Sequence, residues 1–187
     1  MKGEVVLFFA ILCSTAVFAE DTELSLYRPL IESANHQSAV IVAKKIGECS
    51  QQSQLIKRED AWRCVAEGKL YDPCFVHPFG SHLEAVCPES PWSNKGIQIT
   101  VATPLDNKYH EALDMSRTFP WAIELATGEK CQAIDTVEQF DGLPIRYRCD
   151  SQSELIGHVQ RCEGTWKMLQ HAAANGVDTV QIKRALF

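Results

Sequence analysis

Trp121-Ala122-Ile123-Glu124-Leu125-Ala126-Thr127-Gly128-Glu129-Lys130-Cys131-Gln132-Ala133-Ile134 decides the fold class. Trp121, Ile123 and Leu125 alternate with Ala122 and Glu124, the period-two pattern of a half-buried strand. Thr127-Gly128-Glu129-Lys130 is a turn, and the chain returns as a second strand over Cys131–Ile134, so the stretch is a hairpin. The pattern recurs on both sides. Ile97, Ile99 and Val101 oppose Gln98, Thr100 and Ala102, and Ile145, Tyr147 and Cys149 oppose Arg146, Arg148 and Asp150. Glu67-Gly68 separates Trp62–Ala66 from Leu70–Tyr71, and Asp141-Gly142 with Pro144 precedes the strand at Ile145. Short turns between such strands imply antiparallel order. The expectation is a β-rich α+β domain over residues 61–187, a small sandwich or open barrel.

The flanks read less clearly. Residues 20–60 are polar, with the run Ser50-Gln51-Gln52-Ser53-Gln54. Asp21 or Thr22 caps a short helix carrying Leu24, Tyr27 and Ile31, which Pro29 shortens. Val42, Ile46 and Cys49 share a helical face, although Ala39-Val40-Ile41-Val42 also suits a strand. The region is expected to be a helical N-terminal arm. Leu105–Phe119 is a long polar loop or a short helix. Thr165–Ala174 suits helix or strand, with Asn175-Gly176 as a terminator, and Val180, Ile182 and Leu186 form a last strand interrupted by Arg184.

The first 19 residues resemble a secretory leader. Lys2 is the positive end, Val5–Val17 the apolar run, and Val17-Phe18-Ala19 the cleavage site. The run is short for a membrane span, which takes about 20 residues, and Leu12 before Cys13 disfavours acylation there. The protein is expected to be secreted or periplasmic, with no membrane anchor once the leader is removed. At 187 residues, 45% hydrophobic and 22% charged, the chain has the composition of a folded domain rather than a disordered one. A formal charge of −6 excludes a nucleic-acid binder that relies on a basic field.

Beyond the leader the cysteines are Cys49, Cys64, Cys74, Cys87, Cys131, Cys149 and Cys162. In an oxidising compartment the default is disulfides, and an odd number leaves one thiol over. That thiol is either buried and inert or exposed and open to an intermolecular bond. Burial is the expectation, since free cysteine is among the most buried residue types. No C-x-x-C pair is present to support a thioredoxin-like role.

Four constellations bear on chemistry. Cys74, His77, His82 and Cys87 have the spacing of a zinc knuckle, and two thiolates with two imidazoles complete a tetrahedral site. An oxidising space opposes it by converting thiols to disulfides. Ser81 beside His82 is no catalytic dyad, because adjacent side chains point apart, and there is no G-x-S-x-G elbow. Glu111, Asp114 and Glu124 carry no specific glycosidase spacing. Trp92, in Pro88-Glu89-Ser90-Pro91-Trp92-Ser93-Asn94, sits in a loop, where an exposed ring would anchor a ligand; the alternative is a ring folded back over the sheet. No glycine loop cradles phosphate, and no cofactor is expected.

Ala61-Trp62-Arg63-Cys64, Asp72-Pro73-Cys74-Phe75, Val86-Cys87-Pro88, Pro120-Trp121-Ala122-Ile123-Glu124-Leu125, Gly128, Cys131, Tyr147-Arg148-Cys149 and Trp166 form a set. In these the chain resembles a group of secreted bacterial proteins to which no activity is attached. The resemblance implies a β-rich, disulfide-bearing export domain and favours a strand at Trp166; it implies no catalytic residue. The reading that follows is an exported, non-enzymatic binding module, an inhibitor or host-facing factor, whose partner is a protein or small ligand outside the cytoplasm. An exported hydrolase with a site scattered along the sequence is the alternative, and a zinc domain at Cys74, His77, His82 and Cys87 the third.

Overall fold

The computed structural model describes residues 20–30, 38–173 and 176–187. Residues 1–19, expected to be a leader, and Ile31 and Asn175 lie outside them. Within them the elements are strands joined by turns and loops, and no helix occurs among the described residues.

Five strands make the first barrel: β1 (Val40–Gln52), β2 (Ala61–Ala66), β3 (Lys69–Val76), β4 (Glu84–Pro88) and β5 (Lys95–Thr100). Each pairs antiparallel with the next, and β1 closes the ring by pairing parallel to β5, Val40 against Lys95 and Ile46 against Thr100. The turn between β2 and β3 is the two-residue one expected from Glu67-Gly68. Both residues have positive φ, 51° and 74°, which matches the twist of the paired strands. At Gly47 a Cβ would meet the Val65 carbonyl oxygen at 2.4 Å. Only glycine lets β1 approach β2 that closely.

The second barrel has six strands: β6 (Ala122–Leu125), β7 (Lys130–Ala133), β8 (Leu143–Cys149), β9 (Glu154–Gln160), β10 (Lys167–Ala172) and β11 (Gly176–Leu186). The path β6-β7-β8-β9-β10-β11 closes where β11 returns to β6, Ile182 opposite Leu125 and Leu186 opposite Ala122. A register shift between Ile182 and Arg184 accounts for the break in alternation at Arg184. Glu23–Ser25 adds a short parallel strand to β11, and Gln139–Phe140 a short antiparallel one to β8.

Two expectations are corrected. The helical N-terminal arm is replaced by strands: Glu23–Ser25 pairs with the second barrel and Val40–Gln52 is a wall of the first. The supposed helical face is split by strand alternation. Val42 and Ile46 point to solvent, Ile46 being 83% exposed, while Cys49 packs against the first barrel's core. Pairing on both edges and the β-branched run Val40-Ile41-Val42 outweigh the three-residue helical spacing. The small sandwich or open barrel is likewise replaced by two closed rings. Of the ambiguous stretch 165–174, Lys167–Ala172 is the strand β10 and Ala174 lies outside the described residues, whereas Leu105–Phe119 holds turns and loop.

Three cross-strand disulfides staple the rings: Cys49–Cys64 and Cys74–Cys87 in the first, Cys131–Cys149 in the second, all with Cα atoms 3.9–4.0 Å apart. Each joins directly opposed positions of neighbouring strands, where side chains come closest. Such bridges fit a chain that folds where thiols are oxidised.

Candidate cleft and aromatic junction

β3 explains how the barrels meet. Its alternation turns Cys74 into the first barrel's core and Phe75 out of it, toward the second. There Phe75 packs with Tyr27 and Trp121, at centroid distances of 5.5 Å and 5.8 Å, and Tyr27 meets Trp121 edge-on at 4.9 Å. Such tilted and edge contacts suit the ring quadrupoles. Burial pushes the Tyr27 phenol up to about 12.

Arg58 locks this junction. After β1, the Ser53 hydroxyl donates to Asp72 and accepts from the Leu55 and Ile56 N–H groups. That turn carries Ile56 into the core and Arg58 beneath Phe75, the guanidinium 4.7 Å from the ring centroid. Arg58 is 3% exposed. Its Nε and Nη2 donate to the two Asp60 carboxylate oxygens, each at 2.6 Å, and its Nη1 donates to the Tyr27 and Phe187 carbonyls at 2.6 Å and 3.0 Å. A buried guanidinium is tolerated because most of its donors are met.

A cleft of about 400 Å³ opens beside this lock, between the first barrel, residues 26–30 and residues 105–113. Its walls are mostly apolar, with Leu26, Trp62, Val76, Leu105 and Leu113 among them, and Phe79 stands at its edge 88% exposed. His110 covers the Trp62 ring at 4.2 Å. Size and lining match sites for small ligands or anchoring side chains. The polar groups of the cleft are largely engaged elsewhere. Arg58 and Asp60 hold each other, and both His82 nitrogens face carbonyls, Nδ1 to Leu105 at 3.2 Å and Nε2 to Pro78 at 3.5 Å. Among the described residues no hydroxyl or thiol is hydrogen-bonded to that imidazole, as a nucleophile–base pair requires.

The residues singled out by sequence are dispersed. Cys74 and Cys87 are bonded to each other, so neither sulfur is a thiolate ligand. His77 accepts the Phe79 N–H through Nδ1 at 3.1 Å in the loop below β3, and His82 lines the cleft. Cys64, Cys74 and Cys87 come close in space, but all three are bridged. Cys162 is the free thiol among the described residues, and it is exposed rather than buried. Trp92 is half-buried, between Lys130 at 5.4 Å and Arg184 at 5.8 Å, beside a shallow groove lined by Gln132 and Arg148. It lies against the second barrel instead of projecting. Arg58 and Asp60 gave no signal in the sequence, because they sit in a polar stretch. Phe79, between Pro78 and Gly80, had a turn context that could have drawn attention.

No known family, curated protein or solved structure matches this chain. Its function therefore rests on its own geometry.

Proposed function

We propose that the protein is an exported binding module that takes an apolar or aromatic group of a protein or small ligand into the cleft beside Arg58. The carrying observation is the combination of apolar walls with a largely exposed Phe79 at the edge. A large exposed ring beside a preformed apolar concavity loses water on both surfaces when a ligand is seated. The engaged state of Arg58, Asp60 and His82 supports binding over hydrolysis. Export is part of the proposal: it rests on the leader-like first residues, and the three disulfides fit it. So is kinship with the secreted group named above.

The test uses anilinonaphthalene sulfonate as an apolar probe on the intact chain, followed by capture of binders from surrounding medium. Saturable one-to-one probe binding is expected, about tenfold weaker in Phe79→Ser, with an unchanged melting temperature because Phe79 is exposed. The same variant should lose the captured binder. Probe binding that neither saturates nor responds to Phe79→Ser overturns the assignment.

A further inference from the structure

On the second barrel, away from the groups of the cleft lining, two arginines lack a carboxylate. Arg146 lies on β8, and its Cζ stands 4.7 Å from the Phe119 centroid. Arg161 follows β9, with its Cζ 5.9 Å from Phe119 and 5.0 Å from the Trp166 ring. His158 of β9 is 6.1 Å from Phe119. Phe119 and Trp166 are themselves packed on the second barrel's core, so the rings are a fixed base.

The partners of the two guanidiniums are few. Arg161 Nη2 donates to the Thr118 carbonyl at 2.7 Å. The Arg146 side chain makes no hydrogen bond or ion pair among the described residues; it contacts the Phe119 ring and, like Arg161, lies in the field of the buried Tyr147 phenol, and the Nε of both arginines is buried without a hydrogen-bond acceptor. Of the other arginines, Arg28 and Arg117 are exposed and form no ion pair among the described residues, and the rest are matched with acids: Arg58 with Asp60, Arg63 with Asp135, Arg148 with Glu138 and Glu154, Arg184 with Glu124. The acid that acts on Arg161 is Asp114, which lies beyond ion-pair distance and accepts the Ser116 N–H and hydroxyl instead. Burial draws the Arg161 guanidinium below its ordinary value. In a chain of net charge −6, with acids in excess, two half-buried cations without an acid are a local exception.

We propose that Arg146 and Arg161, held on Phe119 and Trp166, form a binding site for an oxyanion: a phosphate, sulfate or carboxylate group of a ligand. Arginine suits this role because its planar fork presents paired donors while its faces stack on rings. The flat aromatic base keeps water from one side of each guanidinium, which strengthens its attraction for an anion arriving from the other. The site is independent of the apolar cleft.

The experiment titrates the intact chain with inorganic phosphate, sulfate and acetate while following the arginine Nε–Hε resonances. Saturable shifts at Arg146 and Arg161 are expected, weaker at higher ionic strength. The tetrahedral anions and the carboxylate compete for the same shifts if the site is general, and the tighter of them identifies the ligand's acid. Arg146→Gln should weaken binding about tenfold, and Lys57→Gln, an exposed cation elsewhere, should not change it. Arg161→Gln should act likewise. If it unfolds the chain by freeing the Thr118 carbonyl, Arg146→Gln still decides, since that side chain holds no backbone group. Shifts that stay linear in anion concentration, or that Lys57→Gln reduces as much as Arg146→Gln, overturn the proposal.

Discussion

The two barrels are closed in the same way and filled differently. Among the described residues, the first encloses ten buried residues, three of them cysteines and two of them alanines, with Trp62 as its one large ring. The cluster filling the second barrel and the junction has seventeen, including Tyr27, Phe75, Trp121, Tyr147 and Phe187. The first carries two disulfides and the second one. A ring of short strands around small side chains buries too little apolar area to offset the entropy of ordering it, and cross-links that restrict the unfolded chain make up part of the difference. The lesson is a division of labour: sulfur bridges hold one barrel, aromatic packing holds the other, and Arg58 with Phe75 joins them.

Arg58→Ala is the largest expected break in that picture. It removes four charge-assisted or backbone hydrogen bonds and leaves Asp60 without its cation. Breaking a buried pair from one side costs about 3–5 kcal/mol, or on the order of 10 °C in melting temperature for a chain of this length. Calorimetry should then resolve two transitions in place of one. A single shifted transition would mean that the barrels unfold as one unit and that the division is only architectural.

The bridges sharpen it next. Cys74→Ala with Cys87→Ala, and separately Cys131→Ala with Cys149→Ala, open loops of similar span, 13 and 18 residues. Chain entropy alone assigns each about 3 kcal/mol. The outcomes should nonetheless differ in place. Loss of Cys74–Cys87 should abolish amide-exchange protection across β2 to β5, while loss of Cys131–Cys149 should leave β8 to β11 protected, because their core is aromatic. Equal loss of protection in both would refute the comparison.

The smallest expected effect concerns the junction in alkali. Tyr27 has its phenol raised from the ordinary 10.0 to about 12 by burial. The unfolded chain therefore releases this proton first. The contribution to stability is whole below about pH 10 and declines as pH rises toward 12, by about 1 kcal/mol midway. Tyr147, buried in the second barrel, is pushed up by the same cause, so the comparison needs Tyr27→Phe. That variant should lose part of the alkaline sensitivity measured by tyrosinate absorbance and denaturant midpoint. No difference between the two chains would remove Tyr27 from the weak point.

Much of the sheet was legible because strand alternation is a local signal. The hairpin at Trp121–Ile134, the two-residue turn at Glu67-Gly68 and the strand at Ile145–Cys149 all stand where their residues place them. The helical reading of Val42, Ile46 and Cys49 failed because two outward residues and one inward residue of a strand fall at helical spacing by coincidence. The cleft was hidden for another reason. Leu26, Trp62, Phe79 and Leu105 are far apart in sequence, and nothing local says that they share a wall.

By itself the sequence determined a cysteine-rich, strand-forming chain, since alternation, turn residues and cysteine content can be read along the backbone. Only the tertiary structure decided that the strands close into two rings, which cysteines pair, and that an arginine in a polar stretch becomes the buried bolt between them. Ring closure and pairing depend on which distant edges meet, and that is settled by packing over the whole chain rather than by any window of it.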